Sequence, residues 1–129
     1  GRVDALTLPE SAELFPAART HGLAVGVAFN PKTSPEAAAA FANAARAEIV
    51  LCMSIHPGYS GQAFMAETLP RIARLRELVA VPIQVDGGVG ESNAGVIRES
   101  GAALLVAGSA IFADADPAAA YERIRAATP

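Results

Sequence analysis

Short apolar runs alternate with segments of helical periodicity along the 129-residue chain. The apolar runs predict five strands, VDALTL, LAVGVAF, EIVLCMSI, VPIQV and ALLVAG. Helices are predicted between and after them, at Ser11–His21, from Ser34-Pro35-Glu36 onward, from about Glu67 to Leu78, at Ser92–Ser100 and at Pro117–Ala127. Gly22 and Gly101 follow two of these helices in the position where glycine commonly ends one. The pattern is therefore a repeated βα unit.

This alternation requires parallel strands joined by right-handed crossovers, which gives an α/β fold. The strands are apolar almost throughout, so we expect both faces of the sheet to be covered. Two architectures fit, an open doubly wound sheet or part of a (β/α)₈ TIM barrel. A complete barrel takes about 250 residues, so five units would be a partial one. We expect residues 1–129 to form a single domain.

Composition and charge exclude several classes of partner. The formal net charge of −3 provides no basic surface for nucleic acid. No apolar run approaches the roughly 20 residues that span a bilayer, and the first residues do not resemble a signal peptide, so no membrane partner is expected. Cys52, within EIVLCMSI, is the one cysteine and is interpreted as a small core residue. We expect a soluble protein in a reducing compartment, the cytoplasm.

Candidate chemistry gathers where the predicted strands end, because ligands of parallel α/β folds bind at the carboxyl ends of strands. These ends are Asn30-Pro31, Met53-Ser54, Asp86-Gly87-Gly88 and Gly108-Ser109. Glycines allow consecutive N–H groups to converge on an anion, and the following SAIFA can start a helical turn. The two glycine-rich ends predict a site for a phosphorylated ligand. The alternative is that they are tight βα turns in which glycine serves geometry alone.

Asp86 and the loop HPGYSGQAF add reactive groups to this edge. A carboxylate at a strand end can act as a base or as a ligand of a hard metal ion, whereas its structural alternative is to cap the following turn. The loop is longer than most βα loops, and its apolar Tyr59 and Phe64 favour a lid over a variable surface loop. His56 is either a general base or, as the pattern favours, a solvated loop residue.

Together, MSIHPGYSGQAF, PIQVDGGV and AGSAIF resemble the ribulose-phosphate 3-epimerase family, and AVGVAFNPKTSPE is similar to a further segment of it. The resemblance runs from about Val3 to the C-terminus. It implies a (β/α)₈ barrel of which this chain is about the last five βα units. It also implies interconversion of D-ribulose 5-phosphate and D-xylulose 5-phosphate, in the pentose phosphate pathway and the Calvin cycle, with a divalent zinc, iron, manganese or cobalt ion.

The resemblance assigns roles to individual residues. Asp86 would be a metal ligand and one of two acid/base carboxylates that move a proton at C3 through an enediolate. Met53 would line the reaction centre. The substrate-covering loop would contain Gly58, Tyr59, Ser60 and Gly61. The phosphate would be held by Gly87, Gly88, Gly108 and Ser109.

The chain also departs from the family pattern. His56 replaces an asparagine, Tyr59-Ser60 replaces Phe-Gly, and LPES replaces a histidine with a nearby glutamate at the first strand end. No segment matches the two histidines and the aspartate that complete the implied metal site, or the partner carboxylate. We therefore expect this chain alone to keep phosphate-binding geometry, to show little or no epimerase activity, and to form homo-oligomers.

Two alternatives to the pentulose epimerase stay open. One is a related enzyme, such as an epimerase of allulose 6-phosphate or a phosphate-binding barrel lyase. The other is a non-catalytic phosphate-binding or assembly fragment. In each case the expected small-molecule partner is a phosphorylated compound.

Overall fold

The computed structural model describes residues 5–9, 15–56 and 61–128, and its elements follow the predicted order. The strands are β1 Ala5–Pro9, β2 Ala24–Phe29, β3 Ile49–Met53, β4 Ile83–Asp86 and β5 Leu104–Val106. The helices are α1 Phe15–Thr20, α2 Pro35–Ala44, α3 Thr68–Leu78, α4 Glu91–Glu99, α5 Ser109–Phe112 and α6 Pro117–Ala126. The parts of the predicted first strand and first helix at residues 3–4 and 11–14 lie outside the described residues.

Local sequence signals account for where the helices begin and end. The Ser34 hydroxyl accepts a hydrogen bond of 3.2 Å from the Ala37 N–H, and Pro35 occupies the first turn, as predicted. Gly22 and Gly101 have φ of 72° and 110°, which a residue with a Cβ adopts only under strain. Helix α4 begins one residue before its predicted start, because the Asn93 carboxamide accepts a hydrogen bond of 2.9 Å from the Gly90 N–H.

The strands form one parallel sheet in the order β1-β2-β3-β4-β5. A doubly wound sheet reverses its strand order, and this sheet does not. With every crossover right-handed, a sequential order places all the helices on one side. The sheet is therefore an arc of a barrel, and the open alternative of a doubly wound fold is excluded.

The side of the sheet that faces the helices, here called the helix face, is closely packed. Its strand residues are almost inaccessible to solvent, each 2% exposed or less: Val25, Val27, Phe29, Val50, Cys52, Ile83 and Val85. Ile72 and Leu75 of α3 are buried in the same core. The Phe41 ring meets Phe15 and Phe29 edge-on, at centroid distances of 6.3 and 6.1 Å. The hydrophobic core lies between this face and the helices.

The opposite side, here called the inner face, consists of the alternate residues of the same strands. Its larger side chains are only partly covered: Ile49, Leu51, Met53, Gln84, Asp86, Leu104 and Val106. Leu104 is the most open of them, at 48% exposure. The expectation that both faces are covered is wrong for the described chain, because every helix lies on the same side. Among the described residues, no helix is both long and apolar enough to cross a membrane.

Candidate active site

The carboxyl ends of the central strands align the residues that the sequence singles out. Met53 is the register partner of Asp86, and Asp86 is the partner of Val106. Side chains on neighbouring parallel strands at the same level point to the same face, so Met53 and Asp86 both belong to the inner face. Phe29 is level with Cys52, which places Asn30 beside Met53. The structure thus brings Met53 and Asp86 together at one edge, here called the carboxyl edge.

Ser54 ties the ends of β3 and β4 together, a role that the sequence analysis missed. Its N–H donates to the Asp86 carbonyl at 2.8 Å. Its hydroxyl lies 2.8 Å from the same carbonyl and 2.7 Å from the Gly87 carbonyl, and the residue is fully buried. The backbone that positions Asp86 is therefore held by a buried side chain. The sequence feature that could have indicated this role is a serine directly after an apolar strand.

Gly87 and Gly88 follow Asp86 in a turn that requires glycine. Their φ angles are 122° and 64°. A Cβ on Gly87 would lie 2.6 Å from a side-chain carbon of Ile55, and a Cβ on Gly88 would collide with the backbone of Ala63 and Phe64. The two glycines therefore allow another backbone segment to approach closely, while their phosphate-binding role stays a prediction. The approaching group in the structure is the far end of the long loop.

The long loop after β3 folds back over this turn. The Met65 N–H donates to the Ser54 carbonyl at 3.0 Å, and the Gln62 amide donates to the His56 carbonyl at 2.9 Å. Phe64 packs against the hydrophobic core. This apolar residue of the loop therefore has the packing partner that its sequence led us to expect. Gly61 is exposed with φ of 84°. Gly58, Tyr59 and Ser60 lie outside the described residues, so their substrate-covering role stays a prediction.

The second glycine-rich end lies next to the first. Gly108 and Ser109 are exposed and lead from β5 into α5, the short helical turn that SAIFA predicts. A Cβ on Gly90 would lie 3.5 Å from the Cβ of Ala110, so α5 approaches the backbone that follows Gly88. The N–H groups at the start of a helix have no partner within it. Both candidate phosphate-binding motifs therefore belong to one part of the carboxyl edge.

The Asp86 carboxylate is half-buried, and no described residue donates a hydrogen bond to it. It is the one described acid at the carboxyl end of a strand. The other described acids lie in helices, in connections or before β3: Glu36, Glu48, Glu67, Glu77, Glu91, Glu99, Asp114, Asp116 and Glu122. A carboxylate in this setting can accept a proton from a bound ligand.

The residues do not make up a metal site. Within the described parts of the chain, no three His, Cys, Asp or Glu side chains come together as ligands of one ion. Asp86 alone leaves a divalent ion without most of the ligands it needs. The role of Asp86 as a metal ligand stays a prediction.

Cys52 and His56 are adjacent in sequence to the site but differ in setting. Cys52 is fully buried on the helix face, as predicted for a core residue. Burial raises the pKa of its thiol, and the nearby Arg71 guanidinium only partly opposes this shift. His56 is exposed and lines a cavity of about 440 Å³ together with Asn30, Pro31, Lys32 and Thr33. This cavity opens at the carboxyl edge.

Another cavity lies at the opposite end of the sheet. It has a volume of about 350 Å³ and is lined by Arg76, Arg98 and the residues around Pro82, which precedes β4. Its arginines lie near the C-terminal ends of α3 and α4. The amino ends of barrel strands generally serve stability, whereas reactions occur at the carboxyl ends. This cavity is therefore separate from the candidate active site.

Comparison with known proteins agrees with these features. The sequence model of the "Ribulose-phosphate 3 epimerase family" matches residues 3–112. A cytoplasmic isoform of ribulose-phosphate 3-epimerase from Oryza sativa subsp. japonica is 36% identical over 115 residues, which are 88% of this chain and 50% of that protein. A chloroplastic ribulose-5-phosphate-3-epimerase from Arabidopsis thaliana is 40% identical over 110 residues, covering 81% of this chain and 38% of that protein. The chain spans half or less of the length of these curated relatives.

Solved structures agree on the fold. A crystal structure of 3-hexulose-6-phosphate synthase superposes with a TM-score of 0.76 and 28% identity, over 98% of this chain and 62% of that one. Thiamine phosphate pyrophosphorylase from Pyrococcus furiosus superposes with a TM-score of 0.73 at 21% identity, over 96% of this chain and 58% of that one. With the sequential strand order, these matches confirm the (β/α)₈ fold, to which the described residues contribute five strands. The chain belongs to the ribulose-phosphate 3-epimerase family.

Proposed function

We propose that this chain is the phosphate-binding and proton-transferring part of an enzyme that interconverts D-ribulose 5-phosphate and D-xylulose 5-phosphate. The observation that supports this most is the arrangement at the carboxyl edge. Asp86 lies beside Met53 on the inner face, and the Gly87–Gly88 turn follows it directly. A reactive carboxylate and a backbone suited to an anion thus occupy adjacent positions.

The phosphate would bind where the two glycine motifs meet. Gly88 is exposed, so its N–H would meet an anion from the side that the long loop does not cover. Gly108 and Ser109 would contribute N–H groups from the adjacent strand end, and Gly87 would allow the turn. A phosphate held here would place the rest of a sugar phosphate along the carboxyl edge, toward Met53.

Asp86 would remove the proton from C3 of the bound sugar. The C3–H electron pair then moves toward C2, and the C2 carbonyl oxygen gains the negative charge of an enediolate. Inversion requires that a proton return to C3 from the opposite face, which needs a second acid. Since Asp86 is the one described acid at a strand end, the described residues provide one half of this exchange.

The divalent ion expected for the family would stabilise the enediolate oxygens when bound. Asp86 would be one ligand of this ion, and one carboxylate alone does not hold it. The proton transfer above is therefore ascribed to Asp86 itself. The proposed activity of this chain alone is consequently small, although its phosphate binding is retained.

We further propose that a second copy of the chain covers the inner face. Leu104 is 48% exposed there, and β1 and β5 are the outer strands of the sheet. Unpaired strand edges and apolar patches favour association. Leu104→Glu should lower the association measured by sedimentation equilibrium. Val96→Glu is the matched control, since Val96 is 47% exposed but lies on α4, and a larger effect at Val96 would contradict the proposal.

We propose a cytoplasmic location. Cys52 is a free buried thiol, which suits a reducing compartment, and the rice relative is named as a cytoplasmic isoform.

Calorimetric titration of the chain with D-ribulose 5-phosphate, combined with an epimerase assay, tests the proposed function. We expect saturable binding that inorganic phosphate competes away, together with little turnover. Asp86→Asn should keep the phosphate affinity and abolish solvent deuterium exchange at C3. Absence of binding, or exchange that is unaffected in Asp86→Asn, would contradict the proposal.

A hexulose phosphate is the second candidate substrate. His56 replaces the asparagine of the family pattern at the cavity, and the 3-hexulose-6-phosphate synthase structure shares 28% identity with this chain. Parallel titrations with ribulose 5-phosphate and allulose 6-phosphate separate the two, since we expect tighter binding of the pentulose.

A further inference from the structure

Arg71 of α3 makes an unusual connection to the loop that follows β2. Its Nη2 group donates to the Asn30 carbonyl at 3.0 Å and to the Thr33 carbonyl at 2.9 Å. These partners precede Arg71 by 41 and 38 residues in the sequence, and β3 lies between them and α3 along the chain. The contact is therefore a tertiary one between a helix and a strand-end loop.

The loop Asn30–Thr33 is a tight turn with few hydrogen bonds within it. The Thr33 N–H donates to the Asn30 carbonyl at 3.0 Å, and Pro31 has no N–H to donate. The Asn30 and Thr33 carbonyls both accept from the one guanidinium group of Arg71. Hydrogen bonds from a charged donor are among the stronger ones in proteins. Arg71 is thus well placed to fix the conformation of this turn.

One nitrogen of the guanidinium is enclosed, although Arg71 as a whole is half-buried. The Nη1 atom of Arg71 is buried and has no partner among the described residues. A buried donor without a partner is unfavourable, and such groups in native structures call for an explanation. An arginine whose only purpose were solubility would extend into solvent, as Arg74 does one turn further along α3.

The turn that Arg71 holds is a wall of the cavity at the carboxyl edge. All four of its residues line the cavity of about 440 Å³, together with His56. Asn30 lies at the level of Met53, the register partner of Asp86. Movement of this turn would therefore change the space beside the reacting groups, while the Gly87–Gly88 turn, two strands away, would stay in place.

We propose that Arg71 is a positioning residue that holds the Asn30–Thr33 turn as the wall against which the sugar part of the substrate binds. Arg71 acts through the two carbonyls and does not touch the substrate. The inference rests on the proposed function for the identity of the ligand, but the ordering of the turn by Arg71 is independent of it.

Arg71→Gln and Arg74→Gln test this proposal as a matched pair. Arg74 lies on the same helix, where it pairs with Glu77, and it joins α3 to α2 through an ion pair with Glu36, but it does not contact the turn. Each variant is titrated with D-ribulose 5-phosphate and with inorganic phosphate, and hydrogen exchange is measured at the Lys32 and Thr33 amides.

We expect Arg71→Gln to weaken sugar-phosphate binding about tenfold, to change inorganic phosphate binding by less than about twofold, and to speed exchange at the turn. Arg74→Gln should change none of the three. Arg71→Lys, which keeps the charge, should restore part of the sugar-phosphate affinity and guards against a general loss of folding.

Unchanged exchange at the turn in Arg71→Gln would overturn the proposal, and so would equal losses for both ligands. Faster exchange with unchanged sugar-phosphate affinity would show that the turn is ordered but is not a substrate wall. If the unmodified chain binds phosphate but no sugar phosphate, the proposed function fails, and the exchange measurement still decides whether Arg71 orders the turn.

Discussion

The helix face and the inner face of the sheet are built from the same five strands, but they differ in what covers them. Helix-face residues such as Val50 and Val85 are fully buried, whereas Leu104 on the inner face is 48% exposed. Asp86 belongs to the inner face, at its carboxyl edge. The helix face supplies stability, whereas the inner face is where we propose that a ligand and a second copy of the chain bind.

The largest effect should come from truncating a buried residue of the helix face. Ile83 is 1% exposed, so Ile83→Ala loses its contacts and leaves a cavity, at a cost of about 3 kcal/mol in the free energy of unfolding. The matched change on the inner face, Leu104→Ala, should cost less than about 1 kcal/mol. Urea unfolding measures both. Equal losses would remove the distinction between the two faces.

Gly88→Ala should damage the carboxyl edge more than an equally strained glycine elsewhere. Gly22 and Gly88 have similar positive φ, and placing alanine there costs roughly 1–2 kcal/mol. Only at Gly88 would the new Cβ also meet the backbone of the long loop, since nothing lies within 4 Å at Gly22. We expect Gly88→Ala to lose phosphate binding and Gly22→Ala to keep it, as measured by calorimetry. Equal phosphate affinity in the two variants would argue against the glycine turn as the binding site.

Ser54 lies where the sheet meets the turn after β4, so Ser54→Ala should destabilise the carboxyl edge. It removes a buried hydroxyl that hydrogen-bonds to the Asp86 and Gly87 carbonyls, which should cost about 1–2 kcal/mol in unfolding free energy. Ser100→Ala removes an exposed hydroxyl from the residue that follows α4 and should cost only a few tenths of a kcal/mol. Thermal unfolding of the two variants gives the difference. A smaller loss of unfolding free energy in Ser54→Ala than in Ser100→Ala would contradict a stabilising role for the Ser54 hydrogen bonds.

The smallest effect on stability is expected at Asp114, which lies on neither face of the sheet. The Asp116 N–H and the Arg123 guanidinium hold the pKa of Asp114 below its usual value. A lowered folded-state pKa adds stability above the unfolded-state pKa, and this is lost as the pH falls through the folded-state pKa. The stability gap between the unmodified chain and Asp114→Asn should therefore shrink in acid. A gap that is independent of pH in urea unfolding would contradict this origin.

The sequence predicted the alternation of strands and helices, the Ser34 cap with the two helix-ending glycines, and the location of Met53 and Asp86 at strand ends, because each depends on local patterning. It did not predict how open the inner face is, because the same apolar strands would suit a sheet covered on both sides. Ser54 and Arg71 were missed for a related reason. Their hydrogen bonds join segments more than 30 residues apart, and residue type alone does not specify such partners.

We propose that ligands bind at the carboxyl edge of the inner face. Amide chemical shifts of the chain during titration with D-ribulose 5-phosphate show where the ligand binds. We expect saturable changes at Met53 and Ser54, at Gly87 and Gly88, and at Gly108 and Ser109. Changes confined to the opposite cavity, around Arg76 and Arg98, would contradict this proposal.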